Sequence, residues 1–416
     1  MSSLVISAWS AISPYGVGNA PLRKGLAEGR DAVAALDRAI YEVPFQQAAL
    51  VPDFTAAQYL GKKGTRTMDR VTALAVTAVG GVVEAVAGEL AAEPEQTALV
   101  LGTGSGSVQS IMDFTKDSLT GERPYHVEPA RFPNTVMNRA AGHSAIWHRI
   151  KGPNTTVAGG SLTGLLALNH ALRLHRGGHC TRVFCGAAEE FTTQRAWLEW
   201  HGRADEERGT PLGEGAAVFL VEPAEDAAAA GRTALARVAA VRFRGYRGTD
   251  GPREALSVCV RNVLDTAGVA PEDIRFVAPL GGGGKPVPRQ ATFAPSRRPA
   301  RPLAAPAESP STSSTRASGR HAESTHRTPL LNGQTLPAGA LAAEEEQAVT
   351  DALPGAHPEW IRLRERIGDT SAAATALQLA AVLATAGERG LGPGEAALVT
   401  GVERDGQVGC AVFVGG

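Results

Sequence analysis

Net charge is almost absent from this chain: 41 Lys and Arg against 42 Asp and Glu leave −1 at neutral pH. No basic face dominates, which argues against nucleic acid or another polyanion as a partner. Cysteine is scarce as well. The four present, Cys180, Cys185, Cys259 and Cys410, show neither metal-ligand spacing nor a disulfide framework, and read as core thiols of a reduced compartment. No metal and no cofactor is expected. No run of about 18 apolar residues stands out, so no membrane span is expected either. The opening Met-Ser-Ser-Leu-Val-Ile-Ser lacks the charged region and cleavage site of a secretory leader, which predicts a cytoplasmic protein.

What the chain does have is length. Its 416 residues are enough to bury a large core and by length alone suggest two or three domains. Leu4 to Gly18 reads as a strand running into a Pro/Gly turn, and a helix is expected near Pro21 to Leu36. Arg70 to Leu90 is a long apolar-periodic helix, and Thr97 to Gly106 a buried strand ending in glycines. This alternation argues for α/β layering around a mixed or parallel sheet.

One stretch organises the rest. The β-branched run Thr155 to Val157 passes through Ala158-Gly-Gly160 to Ser161, after which Leu162, Leu165, Leu166, Leu168 and Leu172 recur at helical spacing. The pattern predicts a strand, a tight turn and a buried helix. Ser161 then stands at a helix N-terminus, where unpaired N–H groups and the helix dipole favour developing negative charge. That is a place for a nucleophile. Taken alone, the same pattern also fits a serine N-cap beside glycines that permit close packing.

Gly152-Pro-Asn-Thr-Thr-Val-Ala-Gly-Gly-Ser-Leu-Thr-Gly-Leu165 resembles the nucleophile motif of β-ketoacyl synthases, G-P-x-x-x-V-x-T-A-C-x-S-G. Phe132 to His143 is similar to their F-x-P-x-x-x-x-N-x-x-A-G-H segment, and Pro211 to Glu222 to G-E-G-A-A-x-x-x-L-E. The resemblance implies a thiolase-like duplicated fold: two α-β-α halves in five layers, over residues 1–223 and 232–416. It places Ser161 at the acyl-accepting cysteine. Met137 becomes a candidate for lining the acyl pocket or a dimer interface, and Thr163, beside the nucleophile position, a candidate for substrate binding. Glu214 reads better as a buried structural carboxylate than as a turn residue.

The second half is interrupted from 280 to 330 by a tract of Gly, Arg, Pro, Ala, Ser and Thr with almost no large apolar residues. Such a tract cannot bury enough surface to offset its ordering entropy, and a disordered excursion is expected. A reading-frame error is the other explanation of the abrupt change in composition. Beyond it, Leu331 to Val349 resembles H-G-T-G-T-P-x-G-D-x-x-E-x-x-A-x, and Ile367 to Leu377 resembles G-H-T-x-G-A-A-G. This placement puts Asn332 at the first catalytic histidine, Asp369 at the second and Arg364 at the family lysine. An alternative puts Leu280 at the first histidine, directly after the strand Arg275 to Ala278. His143, His148 and His170 are candidates only by closeness in sequence to Ser161.

Decarboxylating Claisen condensation needs a soft nucleophile to hold the acyl chain and two hydrogen-bond donors to stabilise the enolate. Serine is a poor nucleophile without a positioned base. An asparagine amide still donates, but an ionised aspartate only accepts. The family's glycine- and phenylalanine-rich loop is also altered, to Gly401-Val-Glu-Arg-Asp-Gly-Gln-Val-Gly409. This pattern resembles the chain-length factor, the silent partner of type II polyketide synthases. The resemblance implies an active ketosynthase subunit, acyl-carrier protein and an acyl or malonyl thioester chain as partners. The alternative is an acyltransferase in which Ser161 carries the acyl group as an ester.

Overall fold

The computed structural model describes residues 3–247, 251–281, 338–387 and 390–416. The tract from 282 to 330 and Asn332 lie outside the described residues.

The main sheet is 11-stranded. Its strands include, in chain order, Leu4–Ser13 (β1), Thr97–Gly102 (β2), Asn154–Val157 (β3), Arg182–Glu189 (β4) and Gly215–Pro223 (β5). They continue with Ala236–Gly245 (β6), Ile274–Ala278 (β7), Glu359–Trp360 (β8), Ala396–Glu403 (β9) and Gln407–Val414 (β10). The order is β8-β7-β9-β10-β6-β1-β5-β4-β2-β3, and it repeats outward from its middle. On each side the two inner pairings are antiparallel and the two outer ones parallel. Both central strands bulge at matching places, β1 between Ile6 and Ala8 and β6 between Val238 and Ala240. Among the described residues the ladder that joins the two sets is Val5–Arg237 and Ile6–Ala236. The duplication expected from the resemblance is therefore written in the strand order.

Seven helices matter for the site: Arg70–Val83 (α1), Arg139–His148 (α2), Thr163–Arg176 (α3), Thr193–Gly202 (α4), Gly251–Ala267 (α5), Ala338–Ala352 (α6) and Ala374–Ala386 (α7). The buried apolar side chains fall into three main clusters that follow the layers. One lies under α1, one lies between the two sets of strands around α3 and α7, and one lies under α5 and α6. β2 shows why: Ala98 and Val100 join the central cluster while Leu99 and Leu101 join the one under α1. A strand buried on both faces needs apolar residues at every position, hence the unbroken Ala-Leu-Val-Leu.

The apolar stretch Arg70–Ala92 is helical and, by length and composition, long enough to cross a membrane. It packs instead on the sheet through Val71, Leu74, Val79 and Val82, and Asp69 caps it by accepting the Thr72 N–H at 2.8 Å. The first helix of the chain is shorter than its composition suggested, Asn19–Ala27 rather than Pro21 to Leu36. Glu214 is fully buried and accepts from both the Nε and Nη2 of Arg70 and from the N–H groups of Val51 and Phe191. Four donors satisfy a carboxylate that would otherwise be costly to bury.

α3 and α7 pack against each other in the central layer, α3 mainly on β4 and β2 and α7 on strands of both sets, β1 and β5 as well as β7 and β9. Gly164 makes the crossing close: an added Cβ there would stand 2.4 Å from the Ala376 backbone nitrogen. Thr375 ties the two helices, its Oγ1 accepting the Leu165 N–H at 3.2 Å and donating to the Ser161 carbonyl at 2.9 Å. Because the obstacle is backbone, Gly164→Ala forces the helices apart and is expected to cost about 1–3 kcal/mol, read as a lower urea midpoint with an unchanged slope.

Candidate functional site

β3 ends at Val157 and the chain turns through Gly159 and Gly160 into α3. Gly160 takes φ +56°, the left-handed region that a glycine occupies without strain. The Thr163 hydroxyl fixes the turn by donating to the Gly160 carbonyl at 2.6 Å and accepting the Gly159 N–H at 2.9 Å. Ser161 is thus held at the mouth of the helix, its carbonyl bound by Thr375 from the other half of the molecule. Its N–H donates to Oε1 of Glu403, the last residue of β9. Burial pushes the Glu403 carboxyl up to about 7, against the hydrogen bonds from Ser161 that favour its ionised form.

Ser161 opens onto a cavity of about 420 Å³. Its walls come from α4 (Leu198, Glu199), the end of the β7 segment (Leu280, Gly281), α6 (Leu341, Glu345) and the β9–β10 turn. Asp369 lines it as well, its Oδ2 accepting from Arg203 at 2.8 Å and from Arg364 at 2.6 Å. Its Oδ1 accepts the Ser371 N–H at 2.9 Å. Burial alone would raise the Asp369 carboxyl, but the Arg364 and Arg203 guanidiniums, the Ser371 N–H and Arg195 outweigh it and hold the group well below the usual carboxylate range. Asp369 is therefore an anion whose lone pairs are spent on two cations.

Ser161, Asp369 and Arg364 line one cavity. Leu280, the alternative for the first histidine position, lines it too, brought there by the strand that precedes it. Asn332 lies outside the described residues. Met137 and Thr163 do not line it: Met137 sits on the surface beside Gly106, and Thr163 is fully buried with its hydroxyl used in the turn. None of His143, His148 and His170 lines it either. His148 instead hydrogen-bonds the Val76 carbonyl at 2.8 Å and has its pKa lowered chiefly by burial. Glu403, Arg203 and Glu345 were not singled out from the sequence. Glu345 is fully buried and accepts the Leu280 and Gly281 N–H groups at 3.0 and 2.8 Å, which fixes the chain where it enters the cavity wall. Only Glu403 left a trace in the sequence, as part of the altered loop 401–409.

Comparison with known proteins gives this geometry its context. Residues 1–227 match the family model described as "Beta-ketoacyl synthase, N-terminal domain". The 3-oxoacyl-(acyl-carrier-protein) synthase 2 of Coxiella burnetii is 26% identical over 300 residues, covering 66% of this chain and 72% of that protein. Its counterpart in Synechocystis is 28% identical over 251 residues, covering 55% and 59%. Among solved structures, the ishigamide ketosynthase/chain length factor is 34% identical over 100% of both chains, with a TM-score of 0.78. A β-ketoacyl synthase from Burkholderia phymatum, at 17% identity over 100% of both chains and a TM-score of 0.74, shares the fold.

Removing the carboxylate from the arginine pair tests the electrostatic account. Asp369→Asn leaves the buried Arg203 and the half-buried Arg364 without their shared partner and is expected to cost about 3–5 kcal/mol in urea unfolding near neutral pH. Since the folded pKa is depressed, the wild-type advantage is complete above the ordinary carboxylate range and is lost as pH falls below about 4. The stabilities of the two proteins therefore converge in acid.

Proposed function

The chain belongs to the β-ketoacyl synthase family, and from that premise we propose that it is a catalytically silent, chain-length-factor-type subunit. It pairs with an active ketosynthase in the cytoplasm and acts on acyl or malonyl chains delivered by acyl-carrier protein. The observation that carries the reading is the lining of the cavity beside Ser161. Among the described residues, no cysteine and no histidine contributes to it. The positions matched to the nucleophile and second histidine are Ser161 and Asp369, and Leu280 occupies the wall where the β7 segment ends.

The chemistry follows from those side chains. A hydroxyl is a far weaker nucleophile than a thiolate unless a base takes its proton. A leucine donates nothing to a carbonyl. Asp369 carries negative charge already committed to Arg203 and Arg364, and it opposes an enolate rather than stabilising it. The four thiols are buried in the cores, with Cys259 and Cys410 facing each other at 3.4 Å in the layer under α5 and α6. The likeness to a structure described as a ketosynthase/chain length factor supports the same reading.

Pairing is supported by the edge of the sheet. Among the described residues β3 pairs with β2 alone, so its outer edge offers unpaired N–H and C=O groups. α2 packs beside it, and Phe132, Val136, Met137 and Ile146 stand exposed around that region, Ile146 at 75%. An apolar rim around an open strand edge suits a second subunit of the same fold, which continues the sheet.

Reconstitution with a ketosynthase subunit, acyl-carrier protein and malonyl thioester decides the matter. Condensation is expected only in the mixture, and Ser161→Ala is expected to leave its rate within about twofold. Condensation by this chain alone, or an ester-linked acyl label on Ser161, overturns the proposal in favour of an acyltransferase. Ile146→Glu is expected to abolish co-purification of the pair while leaving the thermal unfolding of this chain unchanged.

A further inference from the structure

Loss of the thiol does not by itself explain the geometry at the nucleophile turn. In any acyl transfer at this position the carbonyl oxygen of the incoming thioester would have to reach the backbone N–H at the mouth of α3, the donor placed for a developing oxyanion. That N–H is already taken: the Ser161 N–H donates to Oε1 of Glu403. Three further features hold the carboxylate there. Gly160 leaves room for it, since a Cβ at that residue would stand 2.6 Å from the Glu403 carboxyl carbon. The Tyr246 hydroxyl donates to the Glu403 carbonyl, and the Tyr246 N–H donates to the Gly406 carbonyl at 2.7 Å, which anchors the turn from β6. Glu403 and Gln407 face each other across the close of the β9–β10 hairpin, so the backbone bearing the side chain is fixed by the ladder.

We infer that Glu403 is a specificity-determining residue that keeps the turn closed to acyl thioesters by occupying their carbonyl's docking place with its own carboxylate. Silence is then enforced twice, by the exchange of the nucleophile and by an internal occupant of its activating donor. The inference rests on the silent-subunit reading and adds to it a contact between residues 242 positions apart in sequence. Position 403 thereby decides whether a restored nucleophile would be usable. An anionic oxygen at the turn also opposes formation of a thiolate beside it.

The test introduces a reporter thiol and varies the occupant. Ser161→Cys is made alone, with Glu403→Gln and with Glu403→Ala, and alkylation at residue 161 by iodoacetamide is followed by peptide mass mapping across pH 6 to 10. The native cysteines are all buried and serve as internal references. The Ala background is expected to react at least tenfold faster at pH 8 than the Glu403 background. Both replacements are expected to lower the apparent pKa of the introduced thiol by one unit or more, a shift that a merely structural role for Glu403 would not produce. Glu403→Gln is close to isosteric, so its thiol pKa decides the question if the Ala variant does not fold. Equal rates and equal thiol pKa values in all backgrounds overturn the inference. The two readings fail separately: an active wild-type chain refutes the proposed function, whereas the labelling comparison judges Glu403 alone.

Discussion

The site depends on how closely α3 and α7 cross in the central layer. Gly164 lets backbone meet backbone there, and Thr375 uses the closeness to hold the Ser161 carbonyl. Every other part of the cavity is hung from one side or other of that crossing: the Ser161 turn from the first set of strands, Leu280, Asp369 and Glu403 from the second. A few tenths of an ångström lost between the helices separates groups that come from opposite halves. Close packing of this kind transmits displacement rather than absorbing it.

Around that scaffold the polar groups of the cavity are largely satisfied from within. Asp369 neutralises Arg203 and Arg364, Glu345 accepts two backbone N–H groups and the Thr400 hydroxyl, and Glu403 takes the N–H of Ser161. An active site normally keeps donors unpaired and aimed at where charge will develop. Here the partners are built in. The Asp369 cluster in particular cannot lose its anion without taking from Arg203 and Arg364 the carboxylate they share, so the aspartate and the arginines depend on one another.

Much of this was legible in the sequence because the signals are local. The strand, glycine turn and helix from Thr155 to Leu172 are specified by β-branching, glycine and a 3.6-residue period within one short window. The matched positions Arg364 and Asp369 stand five residues apart in one motif and do meet in the structure. What escaped is non-local or carries no pattern. Glu403 reaches Ser161 across 242 positions, and Arg203 reaches Asp369 across 166, with nothing in either neighbourhood to announce the partner. The choice between Asn332 and Leu280 turned on a chain path through residues that motif spacing alone does not fix; the wall of the cavity holds Leu280. Thr163 illustrates a further limit: adjacency to Ser161 along the chain says nothing of direction, and on the first turn of a helix its side chain faces the turn instead of the cavity.

The division of the buried side chains into separate slabs has an evolutionary reading. Ser161 and its surroundings are rooted in the middle slab, while α1 on one flank and α5 with α6 on the other rest on cores of their own. Substitutions accumulating under α1 have the sheet between them and the cavity, so that outer core is free to diverge, whereas the core under α5 and α6 reaches the cavity wall through Leu341 and Val402. The lineage could remodel its outer surfaces for new neighbours while the geometry at the centre, whether used for chemistry or emptied of it, stayed where it was.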